Sequence, residues 1–135
     1  MKAFPALLVP ALMIVAAPPV QAGEFAVLKE EIAAARKALT NMVLYLDKRG
    51  PEHQKQVKDT ADAVSAHLAK LKAPAGKTAE FKELKDTWDA FKKTREKELV
   101  PAILAGEREK YEKIGAGIQK ERLDRMYALI TTLEK

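Results

Sequence analysis

The chain has 135 residues, with 24 lysines and arginines against 19 aspartates and glutamates, a net charge of +5, and no cysteine. The absence of cysteine removes disulfides, thiolate metal sites, thiol nucleophiles and the C-x-x-C-H attachment of haem, so packing must hold the fold together. The basic excess is mild and the lysines are interspersed with acids, which points to solubility and against a nucleic-acid partner.

The first residues predict export. Met1-Lys2 is a short positive start, residues 4–17 are an apolar run, and Val20-Gln21-Ala22 offers small residues where a signal peptidase reads. The expected product is a cleavable signal peptide over 1–22. A retained anchor is the alternative, but the run is shorter than the ~20 residues needed to span, and it carries Pro5, Pro10, Pro18 and Pro19. Residues 23–135 then form one domain, a length that suits a single core. The expected location is the periplasm, with full secretion as the alternative, and no transmembrane helix after cleavage.

Four helices are predicted in that domain. Phe25, Leu28, Ile32, Ala35, Leu39, Met42 and Leu46 alternate in steps of three and four, the seam of a helix that packs on neighbours. Gly50-Pro51 ends it, the glycine read as a left-handed turn and the proline as the first turn of the next helix. Val57, Ala61, Val64, Leu68 and Leu71 continue the spacing, and Ala73-Pro74-Ala75-Gly76 closes the second helix. Thr78 is the expected N-cap of the third, which carries Phe81, Leu84, Trp88 and Phe91 before Arg95 takes the next core position. Pro101 is expected to bend or stop that helix, and Gly106 to reverse the chain.

The fourth helix shows two stripes. Ile114, Ile118, Arg122, Arg125 and Leu129 form one; Leu123, Met126, Ile130 and Leu133 lie beside it. Such a wide face can serve its own bundle and a second subunit, so a homodimer is expected. No period-two run is present, and the fold expected is all-α, an up-down-up-down antiparallel four-helix bundle.

Three arginines stand out within that frame. Counted from the end that holds Gly50 and Gly106, Arg36, Arg95 and Arg122 fall within a layer under about 8 Å thick at ~1.5 Å per residue. Converging guanidiniums suit a carboxylate, so an organic anion is the ligand class expected. The plainer alternative neutralises Arg95 with Asp62 or Glu121 as a buried pair and leaves Arg36 and Arg122 on solvated faces. Tyr111 either closes a pocket mouth or lies at the surface.

Gly115 and Gly117 lack the strand and third glycine of a dinucleotide loop. They read as close packing or as a gap for a ligand. His67, with Met42 as a second axial partner, would allow a b-type haem as a minor alternative. No pair of residues has the spacing of a dinuclear metal site, and no nucleophile, base and acid are arranged for catalysis, so neither a cofactor nor an enzyme is expected.

Trp88-x-x-Phe91-x-x-x-Arg95, then Pro101-Ala102-Ile103, Gly106 and the Ile114, Ile118, Arg122, Met126 helix, resemble the second half of the four-helix-bundle sensor domain of methyl-accepting chemotaxis receptors. The first two helices match by pattern only. The resemblance implies a sensory domain outside the inner membrane that dimerises through its first and last helices and binds a small anionic or aromatic metabolite. Carried onto this chain, the ligand-binding candidates are Arg36, Tyr111 and Arg122, with Arg95 in support.

Those receptors have a second span and a signalling stalk, which this sequence lacks. A membrane receptor is therefore the partner through which it is expected to signal. A structural or protein-interaction bundle is the competing reading.

Overall fold

The computed structural model describes residues 23–135, and the expected signal peptide, residues 1–22, lies outside the described residues. Everything described is helix, turn or short connection, an all-α fold in four helical rods. The first is α1 (Glu24–Leu44), followed by a 3-10 turn at Leu46–Lys48. The second is α2 (Pro51–Lys70). The third begins as α3 (Thr78–Thr94), passes through a π-helical turn at Arg95–Leu99 and continues as α4 (Val100–Leu104). The fourth is α5 (Arg108–Ala116) joined at Gly117 to α6 (Ile118–Leu133). Among the described residues, no helix is long and apolar enough to cross a membrane.

The seam residues are the core because their spacing keeps one face of each helix inward. Phe25, Leu28, Ile32, Ala35, Val64, Leu68, Phe81, Leu84, Trp88, Met126 and Ile130 join in one large cluster. A smaller cluster holds Ala38, Met42, Val57, Leu99, Ala102, Ile103 and Tyr111. The Trp88 indole is fully buried and donates to Ser65 Oγ at 2.9 Å, so its one polar atom is satisfied.

Several local expectations are corrected. Gly50 is extended (φ −77°, ψ 177°) and precedes α2 without a left-handed turn, although Pro51 does open that helix. Thr78 is the first residue of α3, after Lys77, and caps nothing with its side chain. Leu46 lies beyond α1 and is 79% exposed, because the chain leaves the helix at Leu44 before the seam reaches it.

Pro101 neither stops nor sharply ends the third rod. The chain absorbs it through the π turn, in which the Val100 N–H bonds to Arg95 O, five residues back. The rod ends at Gly106, whose φ of 72° suits glycine. There Gly106 N–H donates to Ile103 O at 3.1 Å and Glu107 N–H to Ala102 O at 2.9 Å, the two bonds of a Schellman closure.

The fourth rod is not continuous. A Cβ on Gly117 would lie 2.9 Å from Lys113 O, so only glycine permits the backbone that joins α5 to α6. That break changes which stripe faces inward: Leu123, Met126, Leu129, Ile130 and Leu133 are buried, whereas Ile118 is exposed. Arg125 is exposed too, and it grips Glu83 with two bonds of 2.5 and 2.7 Å.

Candidate functional site

α1 packs mainly along α2, and α3 along α6, while α1 and α6 touch sparingly. The seam between the first and fourth rods is therefore open beside the smaller cluster, as a groove of about 720 Å³. Leu39 and Val43 of α1 line one side, and Tyr111, Gly115 and Leu123 the other, with Phe91 and Leu99 of the third rod beneath. Arg36, Arg95 and Tyr111 all line this groove.

Arg95 is its unusual member. Its side chain is 1% exposed, and it donates to Ala35 O at 2.9 Å and to Val57 O at 3.2 Å. These two bonds tie the third rod to the first and second and use two of the five donors a guanidinium carries. Among the described residues, no carboxylate lies within 4.0 Å of it.

The partners considered from the sequence are engaged elsewhere or turned outward. Asp62 binds Lys58 at 2.6 Å and Lys92 at 3.0 Å, and these lysines hold it below the usual carboxylate range. Glu121 is exposed. Burial pulls the Arg95 guanidinium down to about 10, against an upward pull from Glu96, so it stays charged at neutral pH. A buried cation without a counter-ion costs several kcal/mol in a protein interior. A bound anion would offset that cost.

Arg36 is exposed on α1, with no carboxylate at ion-pairing distance among the described residues. Its charge acts on Tyr127, whose phenol is pushed up by burial and drawn partly back by Arg36. Tyr111 is buried, packs with Met42 and Ile103, and closes one end of the groove.

Arg122 departs from the expected convergence. It turns out of the groove to Thr94 Oγ1 at 2.8 Å, Gln119 Oε1 at 2.9 Å and Ala90 O at 3.5 Å, along the seam between α3 and α6. Two guanidiniums share the groove, and the third supports its wall. The link is Gln119, a buried residue the sequence reading passed over: it accepts from Arg122 and donates through Nε2 to Phe91 O at 2.9 Å. A glutamine one turn from an arginine on an otherwise polar helix start carries no sequence signal that sets it apart.

Arg49 was also passed over. It donates to Met42 O at 2.7 Å, Val43 O at 3.2 Å and Ile103 O at 3.1 Å, capping α1 and fastening it to α4. A basic residue just past a helix end was the available signal.

The two glycines have different roles. Gly117 is needed by the backbone, whereas a Cβ on Gly115 would meet nothing within 4 Å. Gly115 therefore leaves width in the groove.

His67 and Met42 do not face one another. Met42 belongs to the smaller cluster, while His67 is engaged near the other end of α1, where Nε2 donates to Glu24 Oε2 at 2.6 Å and Nδ1 pairs with Glu31. Burial lowers the His67 pKa, but the hydrogen bonds and charges of Glu31 and Glu24 outweigh it, and the net shift is upward. Among the described residues, no group of three or more histidines and acids is placed to hold a metal ion.

Compared with known protein families, curated proteins and solved structures, the chain matches none.

Proposed function

We propose that this protein is an exported, non-enzymatic sensory bundle that binds a small organic anion in the groove between its first and last helical rods, and passes the binding event to a partner receptor. The observation that carries the reading is Arg95: a buried, charged guanidinium with no carboxylate within 4.0 Å among the described residues, lining a groove of about 720 Å³. Groove volumes of roughly 300–1,000 Å³ are the usual range for small-molecule sites. Periplasmic location is supported by the residue pattern of 1–22.

An up-down-up-down antiparallel path is part of the same reading. Contacts between opposite helix ends support it, with Glu24 at the start of α1 on His67 near the end of α2, and Lys77 before α3 donating to Thr132 O near the end of α6 at 2.8 Å. The resemblance to chemotaxis-receptor sensor domains supplies the sensory role and the homodimer.

The test is a thermal-shift screen of small organic acids, since a ligand that binds only the folded state raises apparent stability. An acid that binds the groove raises the melting temperature of the wild type and of Arg122→Ala, and loses that effect in Arg36→Ala and Arg95→Met. Equal shifts in all four proteins would remove the groove as the site.

The competing reading, an interaction bundle, draws on Leu44, Tyr45, Leu46 and Leu104, four large apolar side chains exposed around the turns at one end. It predicts no acid-dependent shift, together with concentration-dependent association in sedimentation that is lost on Leu46→Ser.

A further inference from the structure

We infer that the groove selects a monocarboxylate with an apolar body, an alkanoate or aryl-alkanoate, and rejects amino acids, sugar acids and inorganic phosphate; the inference rests on the groove being the ligand site. The selection follows from which of its polar groups are already committed. Among the described residues, Arg36 and Arg95 are the two cations lining the groove with no carboxylate within 4.0 Å. The acids on its rim, Asp124 and Glu112, are exposed and already face Lys120 and Arg108, each at 2.7 Å. An α-amino group would gain little from such exposed carboxylates, and it would sit beside the positive charge of Arg36 and Arg95.

Hydroxyl groups fare no better. Gln119 spends its amide on Phe91 O and its carbonyl on Arg122. Most of the wall comes from helix interiors, whose backbone amides are consumed by the i→i−4 ladder, the first turn of α6 at Gln119 and Lys120 being the exception. The Thr40, Tyr111 and Tyr127 hydroxyls also line the groove, and none has a hydrogen-bond partner among the described residues. A sugar acid would bury several of its hydroxyls against the apolar walls, and unsatisfied polar groups are what a site rejects most strongly. Phosphate would find the guanidinium donors but has no body to cover the apolar walls.

The remaining lining is apolar, supplied by Leu39, Val43, Phe91, Leu99 and Leu123. Open space at Gly115 gives a hydrocarbon body room along it. A carboxylate on Arg95 and Arg36 neutralises the buried charge, and the body covers the apolar walls. A neutral molecule of the same shape covers the walls but leaves Arg95 uncompensated in a drier site.

The test is titration calorimetry of the purified protein with 4-phenylbutanoate, octanoate, 4-phenylbutan-1-ol, phenylalanine, gluconate and inorganic phosphate. The two acids are expected to bind at least about tenfold more tightly than the other four, the scale of one charged hydrogen-bonded contact. Arg36→Ala, an exposed position that does not threaten folding, is expected to weaken both acids about tenfold, with Arg36→Lys recovering part of that loss. Gly115→Leu fills the groove without touching a charge and weakens 4-phenylbutanoate while circular dichroism stays unchanged.

Tighter binding of phenylalanine, gluconate or phosphate, still lost in Arg36→Ala, would overturn the inference and leave the anion site standing. Equal binding of the alcohol and the acid overturns it as well. Binding of no compound in an Arg36-dependent way overturns both the inference and the ligand-binding reading.

Discussion

The two ends of this molecule are built from the same helical spacing and come out differently. Around Trp88 all four rods contribute large apolar side chains to one cluster, whose only buried indole N–H is satisfied by Ser65. Around Met42 and Ile103 the cluster is smaller, and its neighbourhood carries Arg95, the π turn, Pro101, Gly115 and Gly117. Arg95 marks the boundary, bonded to Ala35 O of the first cluster and Val57 O of the second. Where apolar residues of full size meet at every turn, the rods close on one another. Where an arginine, a glycine and a helix irregularity replace them, the first and fourth rods stay apart and a groove remains. Unfilled volume is costly in a core, and this groove lies beside the buried charge of Arg95, which is why the proposed site is placed there.

The comparison can be broken most severely at its packed end. Trp88→Ala removes a fully buried side chain from the centre of the large cluster and is expected to cost about 3–5 kcal/mol in urea unfolding. A loss below about 1 kcal/mol would mean that the packed end is as loose as the grooved one.

Gly117→Ala probes the grooved end. The added Cβ would stand 2.9 Å from Lys113 O, so α5 and α6 must move relative to one another. A loss of about 1–3 kcal/mol is expected, the usual scale of steric overpacking. Gly115→Ala, with open space around it, is expected to be neutral or slightly stabilising in the same assay, because alanine favours helix. Equal effects at the two glycines would contradict the assignment of one to the backbone and the other to the groove.

The smallest effect concerns the packed end and pH. Only a doubly protonated imidazole can donate from both ring nitrogens, and His67 faces Glu24 and Glu31, the two charged groups that act on it. Its folded pKa is raised above 6.5, so the stability it contributes is fully present below pH 6.5 and is lost as pH rises through the higher folded value. The melting temperature of the wild type is expected to fall over that window, and His67→Gln to flatten the slope. An unchanged slope in the variant would show that the pairing does not tie α1 to α2.

Much of the fold was legible in the spacing alone. Phe25, Leu28, Ile32 and Ala35 of α1, Val57 to Leu68 at the seam positions of α2, and Phe81 to Phe91 of α3 are buried where the three-four alternation put them. The reversal at Gly106 was legible too, since few residues other than glycine adopt that backbone.

Part of what escaped lies beyond an irregularity. The π turn holds an extra residue within its turn, and the break at Gly117 resets the rotation of everything after it. Arg122, Arg125 and Ile118 were therefore assigned to a face they do not occupy. The candidate site was read as a set of chemical types at one height, and three of its four residues line one groove. The direction in which each guanidinium points was not legible, because four rotatable bonds let an arginine answer to whichever partner the neighbouring helices present.

By itself, the sequence determined that this protein is helical, where most of its turns fall, which residues fill its main cluster, and that a positive charge occupies a core position at Arg95. Those properties follow from local spacing and from the backbone preferences of glycine and proline, which act over a few residues. The tertiary structure alone decided that Arg95 meets no carboxylate partner among the described residues, that Arg122 braces Gln119 and Thr94 instead of joining it, and that the first and fourth rods part to leave a groove. Each of these depends on the rotation and separation of whole helices, which are fixed only when side chains distant in sequence are packed together.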